Sequence, residues 1–461
     1  MAAASNVPHT RIFLGLFLGA VLGSLINYGT TPEAIPNRDA IAAITGNVAV
    51  PTPQQAEWVG KLVRNVTKPI GDVFMNLLFL PIIPLVFASL AVSVTRLSGA
   101  GGGAVGRIGL KTMGYFIVTT SFAAIIGLTA VNSIKPGSFL PKEKQEALMA
   151  EFGKEATTKV EKRPDFGIAT FVNAIPRNPL EAMVNKDMLA VIFTSILVGF
   201  ALTRIETTRS DLIVKFLEGV NLIAEFCIKV AMWIAPYGVF CLIFSTSALF
   251  GAGFLVSLGA FVATVIGGLG LHMFVVLPIL VYFLGGMNPL DFFRKTRATL
   301  LTAFSTSSSS ATLPTAIKNA VEDLNVPKPV AHFVLPLSAT MNHNGTALFE
   351  AVTVLFLAQV AGVHLPLEQQ LVVLLLCVLT ATGMAGVPGG SLPLIGLVLV
   401  QVNVDPKLIG LVLGVDRILD MCRTMVNVCA DMTTAVFVAR TERGRVYEEE
   451  ITDKVDAPPH A

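Results

Sequence analysis

The sequence predicts an all-α integral membrane protein with eight transmembrane helices and two re-entrant helical hairpins, arranged as inverted repeats. Three observations predict it. Charged residues make up 14% of the 461 positions and hydrophobic ones 53%, with a mean hydropathy of +0.70. A soluble domain carries about a quarter charged residues, so this chain lacks the means to cover itself with a solvated surface. Long apolar runs recur to the end of the chain, at 12–27, 189–203, 253–284, 351–363 and 370–382. Two further apolar segments are interrupted by Ser, Gly and Pro at their centres.

The elements follow in order. Spans are expected near 11–28, 57–97, 107–134, 168–205, 211–249, 254–286, 329–361 and 407–439, since about 20 largely apolar residues cross a bilayer as helix. The first run is expected to be a retained span. No small-residue cleavage site with a soluble domain behind it follows, as a signal peptide would require. Basic residues gather at Arg96/Arg107/Lys111, Arg204/Arg209, Arg294/Lys295/Arg297 and Arg440/Arg443/Arg445, which the positive-inside rule makes cytoplasmic. Both termini are then cytoplasmic, and the mixed-charge stretch 136–166 lies outside. The net charge of +2 gives no footprint for nucleic acid. The five cysteines fall in apolar segments without a C-x-x-C pair and read as buried free thiols.

Segments 298–320 and 366–399 fit poorly as spans. The first holds a serine-rich break, Ser305 to Ser310, closed by Pro314; the second holds Thr382-Gly383-Met384-Ala385-Gly386-Val387-Pro388-Gly389-Gly390-Ser391. Each arm is too short to cross, and non-helical backbone survives at membrane depth only inside protein or beside a watery cavity. Each segment therefore reads as a re-entrant hairpin with its tip near the midplane. Each is followed by a polar motif, Met341-Asn342-His343-Asn344-Gly345-Thr346 and then Asp420 to Asp431. Interrupted segments at corresponding places in two halves point to a transport site.

The densest signal is on the last span. At about 100° per residue, Asp416, Asp420, Arg423, Thr424, Asn427 and Asp431 share one stripe. A charge at the centre of a membrane helix costs about 2.5–3.5 kcal/mol, so Asp420, Arg423 and Asp431 would together cost on the order of 8–10 kcal/mol unpaired. A buried pair that only locks packing is the plainer reading, but apolar residues would do that at lower cost. A ligand site explains more: a carboxylate for an ammonium, a guanidinium for a carboxylate, a carboxylate with amide oxygens for a cation. The broken hairpins add free N–H groups that favour anions and free carbonyls for Na⁺. A flexible linker is the plain reading of the serine run, yet one between apolar arms would be an odd thing to bury.

With these residues assembled, the chain resembles the glutamate transporter family of dicarboxylate/amino acid:cation symporters over about residues 11–442. Ser307-Ser308-Ser309-Ser310-Ala311-Thr312-Leu313-Pro314, Asn342 to Leu348, Gly386-Val387-Pro388-Gly389, and Asp420 to Val428 with Asp431 carry the resemblance. It implies a homotrimer of elevator-type transporters in the cell membrane. The scaffold would comprise 1–106 and 168–249, the moving transport domain 107–134 and 250–440, with an outside loop at 135–167 and a cytoplasmic tail at 441–461. Asp420 would bind the substrate ammonium and Arg423 a side-chain carboxylate. Asn427 and Ser309 would hold the α-carboxylate, and Ser308, Thr346, Val387, Gly390 and Thr424 complete the pocket. Arg423 favours an acidic amino acid, because neutral-amino-acid members carry a small residue there and a guanidinium balances a desolvated carboxylate bidentately.

Three Na⁺ sites are implied. One uses Asn342, Asn427, Asp431 and the Ser338 carbonyl; a second uses carbonyls near Ala381, Thr382 and Met384 with Thr340; a third uses Thr119, Thr120, Asn342 and Asn344. The chain departs from the family at the third, reading Asn342-His343-Asn344 where members usually read Asn-Met-Asp. Asn344 keeps an oxygen but loses a charge, and His343 adds a group that titrates near neutral pH, so this site is expected to be weakened or lost. A neutral His343 packed among apolar groups would leave it intact. Glu350 stands where animal members carry a protonatable glutamate, which makes Glu350 and His343 candidates for H⁺ coupling. An arginine that members place at the first hairpin tip or after the last-span aspartate is missing, since Ser307 and Met421 stand there; Arg417 is the substitute in view.

Other functions fit less well. Asp420 would repel a dicarboxylate, and Arg423 would be left without an anion by a neutral amino acid. An anion-conducting channel with vestigial transport would give current without saturable uptake. An intramembrane hydrolase needs a nucleophile whose base is held by a third group, and the sequence supplies no such pairing. No Walker-type loop is present for an ATP-driven pump. No organic cofactor is implied, and the chain is not expected to be an enzyme.

Overall fold

A computed structural model of the chain describes residues 9–30, 61–98, 104–140, 175–185, 187–250, 252–384, 386 and 389–455. Helices and turns account for these residues, and no strand occurs among them. In chain order the first helices are α1 (His9–Thr30), α2 (Lys68–Phe79), α3 (Ile82–Ser98) and α4 (Ala104–Ile134). Next come α5 (Pro179–Val184), α6 (Met188–Leu202), α7 (Thr207–Phe250), α8 (Ala252–Leu271) and the one-turn α9 (Leu277–Leu280). The C-terminal part holds α10 (Pro289–Thr306), α11 (Ser309–Glu322), α12 (Lys328–Met341), α13 (Asn344–Val360), α14 (Leu367–Thr382), α15 (Ser391–Gln401) and α16 (Leu413–Val455).

Four helical stretches, Asn65–Thr95, Arg107–Phe139, Thr207–Ser245 and Phe254–Gly285, are long and apolar enough to cross a bilayer. The other expected spans depart from that form for local reasons. Within 168–205, residues 168–174 lie outside the described residues, and the rest is two helices rather than one. Asn178 caps α5 by accepting from the Leu180 and Glu181 amides at 3.1 and 3.4 Å, and α6 starts afresh after Asp187. The expected span 329–361 is broken at Asn342 and His343, whose φ/ψ of −112/77° and −110/62° leave the helical region. The last span carries the polar stripe, and its helix continues to Val455.

Both expected hairpins are helix–break–helix units. In the first, α10 ends at Ser307 in the left-handed region (φ 50°), and Ser308 caps α11 through its hydroxyl, which accepts from the Ala311 amide at 3.2 Å. Pro314, expected to close the break, instead sits inside α11. In the second, α14 stops at Gly383 and α15 resumes at Ser391, with Gly389 at φ 75°. The hairpin tips touch: Ser308 Oγ donates to the Gly386 carbonyl at 2.7 Å.

Helices α1, α2, α3, α6 and α7 pack chiefly on one another, while α4, α8 and α10–α16 enclose the polar motifs. The α1–α7 seam depends on small residues four apart. A Cβ on Gly15, Gly19 or Gly23 would come within 2.5, 2.8 and 2.7 Å of the backbone oxygens of Pro236, Phe240 and Phe244. Replacing Gly19 with leucine is expected to pry α1 from α7 and cost about 1–3 kcal/mol. Thermal inactivation of the detergent-solubilised protein checks this, with a substitution at the exposed Phe17 as control.

All five cysteines are free; Cys241, Cys377 and Cys429 are buried as expected, whereas Cys227 and Cys422 are half-buried. Past the polar stripe on α16, Glu442 joins that helix to the start of α4. Its carboxylate accepts from Arg107 Nη2 at 2.8 Å and pairs with Lys111. These contacts, the Arg107 hydrogen bond first, hold its carboxyl below the ordinary value near 4.5. A carboxyl depressed in this way stabilises the fold fully above that ordinary value and loses the contribution as pH falls through the folded one. Glu442→Gln is therefore expected to lower thermal stability at neutral pH, with the difference from wild type shrinking in acid.

Candidate functional site

Helix periodicity on α16 brings the stripe to one face, and packing buries it. Asp416, Asp420, Arg423, Thr424, Asn427 and Asp431 are each at most 4% exposed. Burial at this density demands partners, and the stripe supplies several of its own. Asp420 Oδ1 accepts from Arg423 Nε and Nη2 at 3.1 and 2.8 Å. Its Oδ2 accepts from the Gly389 amide at 3.2 Å and from Arg417 Nη1 at 3.4 Å. Arg417, which the sequence offers in place of the missing arginine, is 2% exposed and bonded to the central aspartate. Asp416, Arg417, Asp420 and Arg423 form a buried cluster of two carboxylates and two guanidiniums. The Arg423 guanidinium also lies over the Phe349 ring, 4.3 Å from its centroid, a cation–π contact that adds to its hold.

The broken helix α12–α13 is held open by the same stripe. The first amides of α13 lack intrahelical partners, and Asn427 Oδ1 accepts from Gly345 N at 2.7 Å and Thr346 N at 3.4 Å. Asn427 Nδ2 donates to Thr346 Oγ1 at 3.1 Å. Gly345 is needed for this approach, because a Cβ there would lie 2.6 Å from the Arg423 carbonyl oxygen. On the other side of the break, Asn342 Nδ2 donates to Asp431 Oδ1 at 3.0 Å, and the Asn342 amide bonds the Ser338 carbonyl at 2.8 Å.

Hairpin tips, the break and the stripe surround one small cavity of about 10 Å³, lined by Ser307, Ser309, His343, Thr346, Met384, Gly386, Ser391, Asp420, Arg423, Thr424 and Asn427. That is room for about one water molecule and not for an amino acid. Unused polar atoms converge on it. Ser307 Oγ, Ser391 Oγ, His343 Nε2 and Arg423 Nη1 have no hydrogen-bond partner among the described residues. Arg423 Nη1 lies 3.2 Å from Asp416 Oδ1, without the alignment of a hydrogen bond. Buried groups left unsatisfied in this way mark where a polar ligand belongs.

Of the residues expected to bind substrate, Ser309, Thr346, Asp420, Arg423, Thr424 and Asn427 line the cavity. Ser308 directs its hydroxyl to Gly386 instead, Gly390 is buried at the start of the second arm, and Val387 lies outside the described residues. Ser307, Ser391 and His343 line it without having been assigned to substrate. The break residues at the two hairpin tips were visible in the sequence, but which hydroxyl turns inward depends on the left-handed turn at Ser307 and the start of α15.

The expected cation ligands also gather. Asn342 Oδ1 is buried without a partner beside Asp431. Asn344 Oδ1 accepts from Thr120 at 2.8 Å and from Thr119 at 3.4 Å, while its Nδ2 lies 3.3 Å from His272 Nε2. His272 was missed because it stands alone in an apolar span. His343 turns away from this cluster, and its Nδ1 donates to the Ala381 carbonyl at 2.9 Å. Thr340 and Thr382 return their hydroxyls to their own helices. Glu350 lies outside the cavity, fully buried, with Oε2 accepting from Thr380 Oγ1 at 2.8 Å and Oε1 unpartnered among the described residues.

The chain is 34% identical to a proton/sodium-glutamate symport protein of Bacillus subtilis over 434 residues, which cover 94% of this chain and 92% of the relative. It is 30% identical to a proton/glutamate-aspartate symporter of Escherichia coli over 97% of both chains. A C4-dicarboxylate transport protein of Bradyrhizobium diazoefficiens is 31% identical over 94% of this chain and 88% of its own. The sequence profile of one family matches residues 9–441, and the chain belongs to that family, the sodium:dicarboxylate symporter family.

Proposed function

We propose that this protein is a secondary active symporter that carries an acidic amino acid, aspartate or glutamate, on a gradient of Na⁺, H⁺ or both. The carrying observation is the buried Asp420–Arg423 pair beside a cavity whose lining includes Ser307 Oγ, Ser391 Oγ and His343 Nε2 without a hydrogen-bond partner among the described residues. A zwitterion with a second carboxylate uses every one of those features. Its ammonium takes Asp420, its side-chain carboxylate takes Arg423, and its α-carboxylate takes Asn427, Ser309 and the serine hydroxyls at the hairpin tips. Thr346, Thr424, Ser308, Gly390 and Val387 shape the pocket. The names of the relatives, which join glutamate or aspartate with protons and sodium, support the reading. Cation coupling rests on Asp431 and Asn342, with Glu350 as the group for a proton. Transport follows an elevator cycle of α4, α8 and α10–α16 against α1, α2, α3, α6 and α7 in a homotrimer, with eight spans and both termini cytoplasmic. The separate packing of these two sets of helices supports that division.

A dicarboxylate is the second reading, and Arg417 is the observation that favours it. A guanidinium 3.4 Å from Asp420 Oδ2 offsets the repulsion that Asp420 would exert on a substrate without an ammonium, and one relative is named for C4-dicarboxylates. Uptake of labelled aspartate and succinate into proteoliposomes, under separate inward Na⁺ and H⁺ gradients at fixed voltage, tests both. Saturable aspartate uptake driven by either gradient is expected. Uptake of succinate alone would move the assignment to the second reading.

A further inference from the structure

We infer that two histidines, His343 and His272, hold the ligands of two of the three cation sites in the chain's own hydrogen bonds, so that each protomer takes up a single Na⁺. This deepens the proposed function and rests on its cation-coupled reading. The three sites differ in the carboxylate they hold and in whether an acceptor is left unspent.

At the second hairpin, the Ala381 carbonyl is a ligand only if its lone pairs face the ion. Here His343 Nδ1 lies 2.9 Å away and donates to it. That hydrogen is present in the Nδ1–H tautomer and in the imidazolium alike, so one of the carbonyl's two lone pairs is taken at any pH. Thr340 donates to the Leu337 carbonyl at 2.9 Å and Thr382 to the Leu379 carbonyl at 2.7 Å, so neither hydroxyl is arranged around an ion.

At α4, the Asn344 side chain is fully engaged. Its oxygen accepts from the Thr120 hydroxyl at 2.8 Å and its Nδ2 donates to His272 Nε2 at 3.3 Å, while the Thr119 hydroxyl donates to the Tyr115 carbonyl at 2.9 Å. The His272 bond fixes the plane of the amide, and the Thr120 hydrogen occupies its oxygen. A sodium ion there would have to turn the Thr120 hydroxyl and would find no formal negative charge. Hard cations are bound by converging oxygen lone pairs, with carboxylates setting the affinity, and this cluster offers neither.

The remaining site also has engaged oxygens, since the Ser338 carbonyl and Asn427 Oδ1 accept backbone amides, but it adds a carboxylate and an unspent acceptor. Asn342 Oδ1 is buried without a partner among the described residues, and its own Nδ2 reaches the buried carboxylate of Asp431. An unspent acceptor beside a carboxylate is the arrangement that a dehydrated Na⁺ completes.

Equilibrium binding of radioactive sodium to the purified full-length protein, counted by scintillation proximity in potassium-free buffer, tests the inference. Wild type is expected to bind one ion per chain. Asn344→Asp restores a carboxylate between Thr119 and Thr120, and His343→Met frees the Ala381 carbonyl; each is expected to raise the count by about one. A wild-type count of two or more, or of none, overturns the inference. So does an unchanged count in both folded variants. The measurement needs no substrate, so a protein that binds one sodium ion yet takes up no acidic amino acid would refute the proposed function and leave this inference standing.

Discussion

Arg423→Ser is expected to abolish uptake of acidic amino acids. Arg423 is the residue that Asp420 holds through two hydrogen bonds, at 3.1 and 2.8 Å, while its Nη1 pairs with Asp416 at 3.2 Å. Truncating one partner of a buried charge pair costs about 3–5 kcal/mol, because the other charge is left uncompensated. Expressed in transport of aspartate, that is a loss of roughly 10²–10⁴-fold in kcat/KM. Asp416 and Asp420 would then face the pocket beside Arg417 alone. A neutral amino acid brings no second carboxylate, so serine or alanine should compete better for the variant than for wild type. Competition against labelled substrate measures this change of preference and separates it from loss of folding, which would remove binding of every ligand. Arg423→Lys is expected to rescue only weakly, since an ammonium cannot present two parallel donors to a carboxylate.

Asp420→Asn is expected to produce the opposite selectivity. The carboxylate is the meeting point of Arg417, Arg423 and the Gly389 amide, and it is the negative charge available to a substrate ammonium. With an amide there, two buried guanidiniums lose a shared partner, and an ammonium entering the pocket meets net positive charge. Aspartate uptake should fall by at least about 100-fold, in line with the cost of breaking a buried pair. Succinate, which brings two carboxylates and no ammonium, should gain relative to aspartate. The measured quantity is the ratio of inhibition constants for succinate and aspartate in proteoliposomes. A ratio unchanged from wild type would show that Asp420 does not contact the ammonium.

These two expectations start from a pattern that the sequence shows plainly. Six polar residues at helical spacing on α16 lie on one buried face because helix geometry fixes which side chains share a side. The two hairpins were legible for an equally local reason. A serine or glycine break in a short apolar segment leaves backbone groups that lipid cannot satisfy, so protein must surround it. The break within the span 329–361 was less legible. Its motif is polar, but nothing local forbids a helix through Asn342 and His343; it is Asn427, from α16, that satisfies the amides on the far side. Likewise Pro314 suggested an end and proved compatible with the body of α11.

The sequence by itself determined the membrane class, the two hairpin breaks, the charged stripe and the family resemblance, because each depends on composition or on spacing within one segment. Tertiary structure decided which partners those groups meet. His272 and Asn344 are 72 residues apart, and His343 and Ala381 are 38 apart. No helical period relates them, and an isolated histidine in an apolar run looks the same whether it faces lipid, a hydroxyl or a neighbouring amide. The packing of α8, α13 and α14 brings each ring to its partner, and with it decides which of the chain's oxygens remain free for a cation.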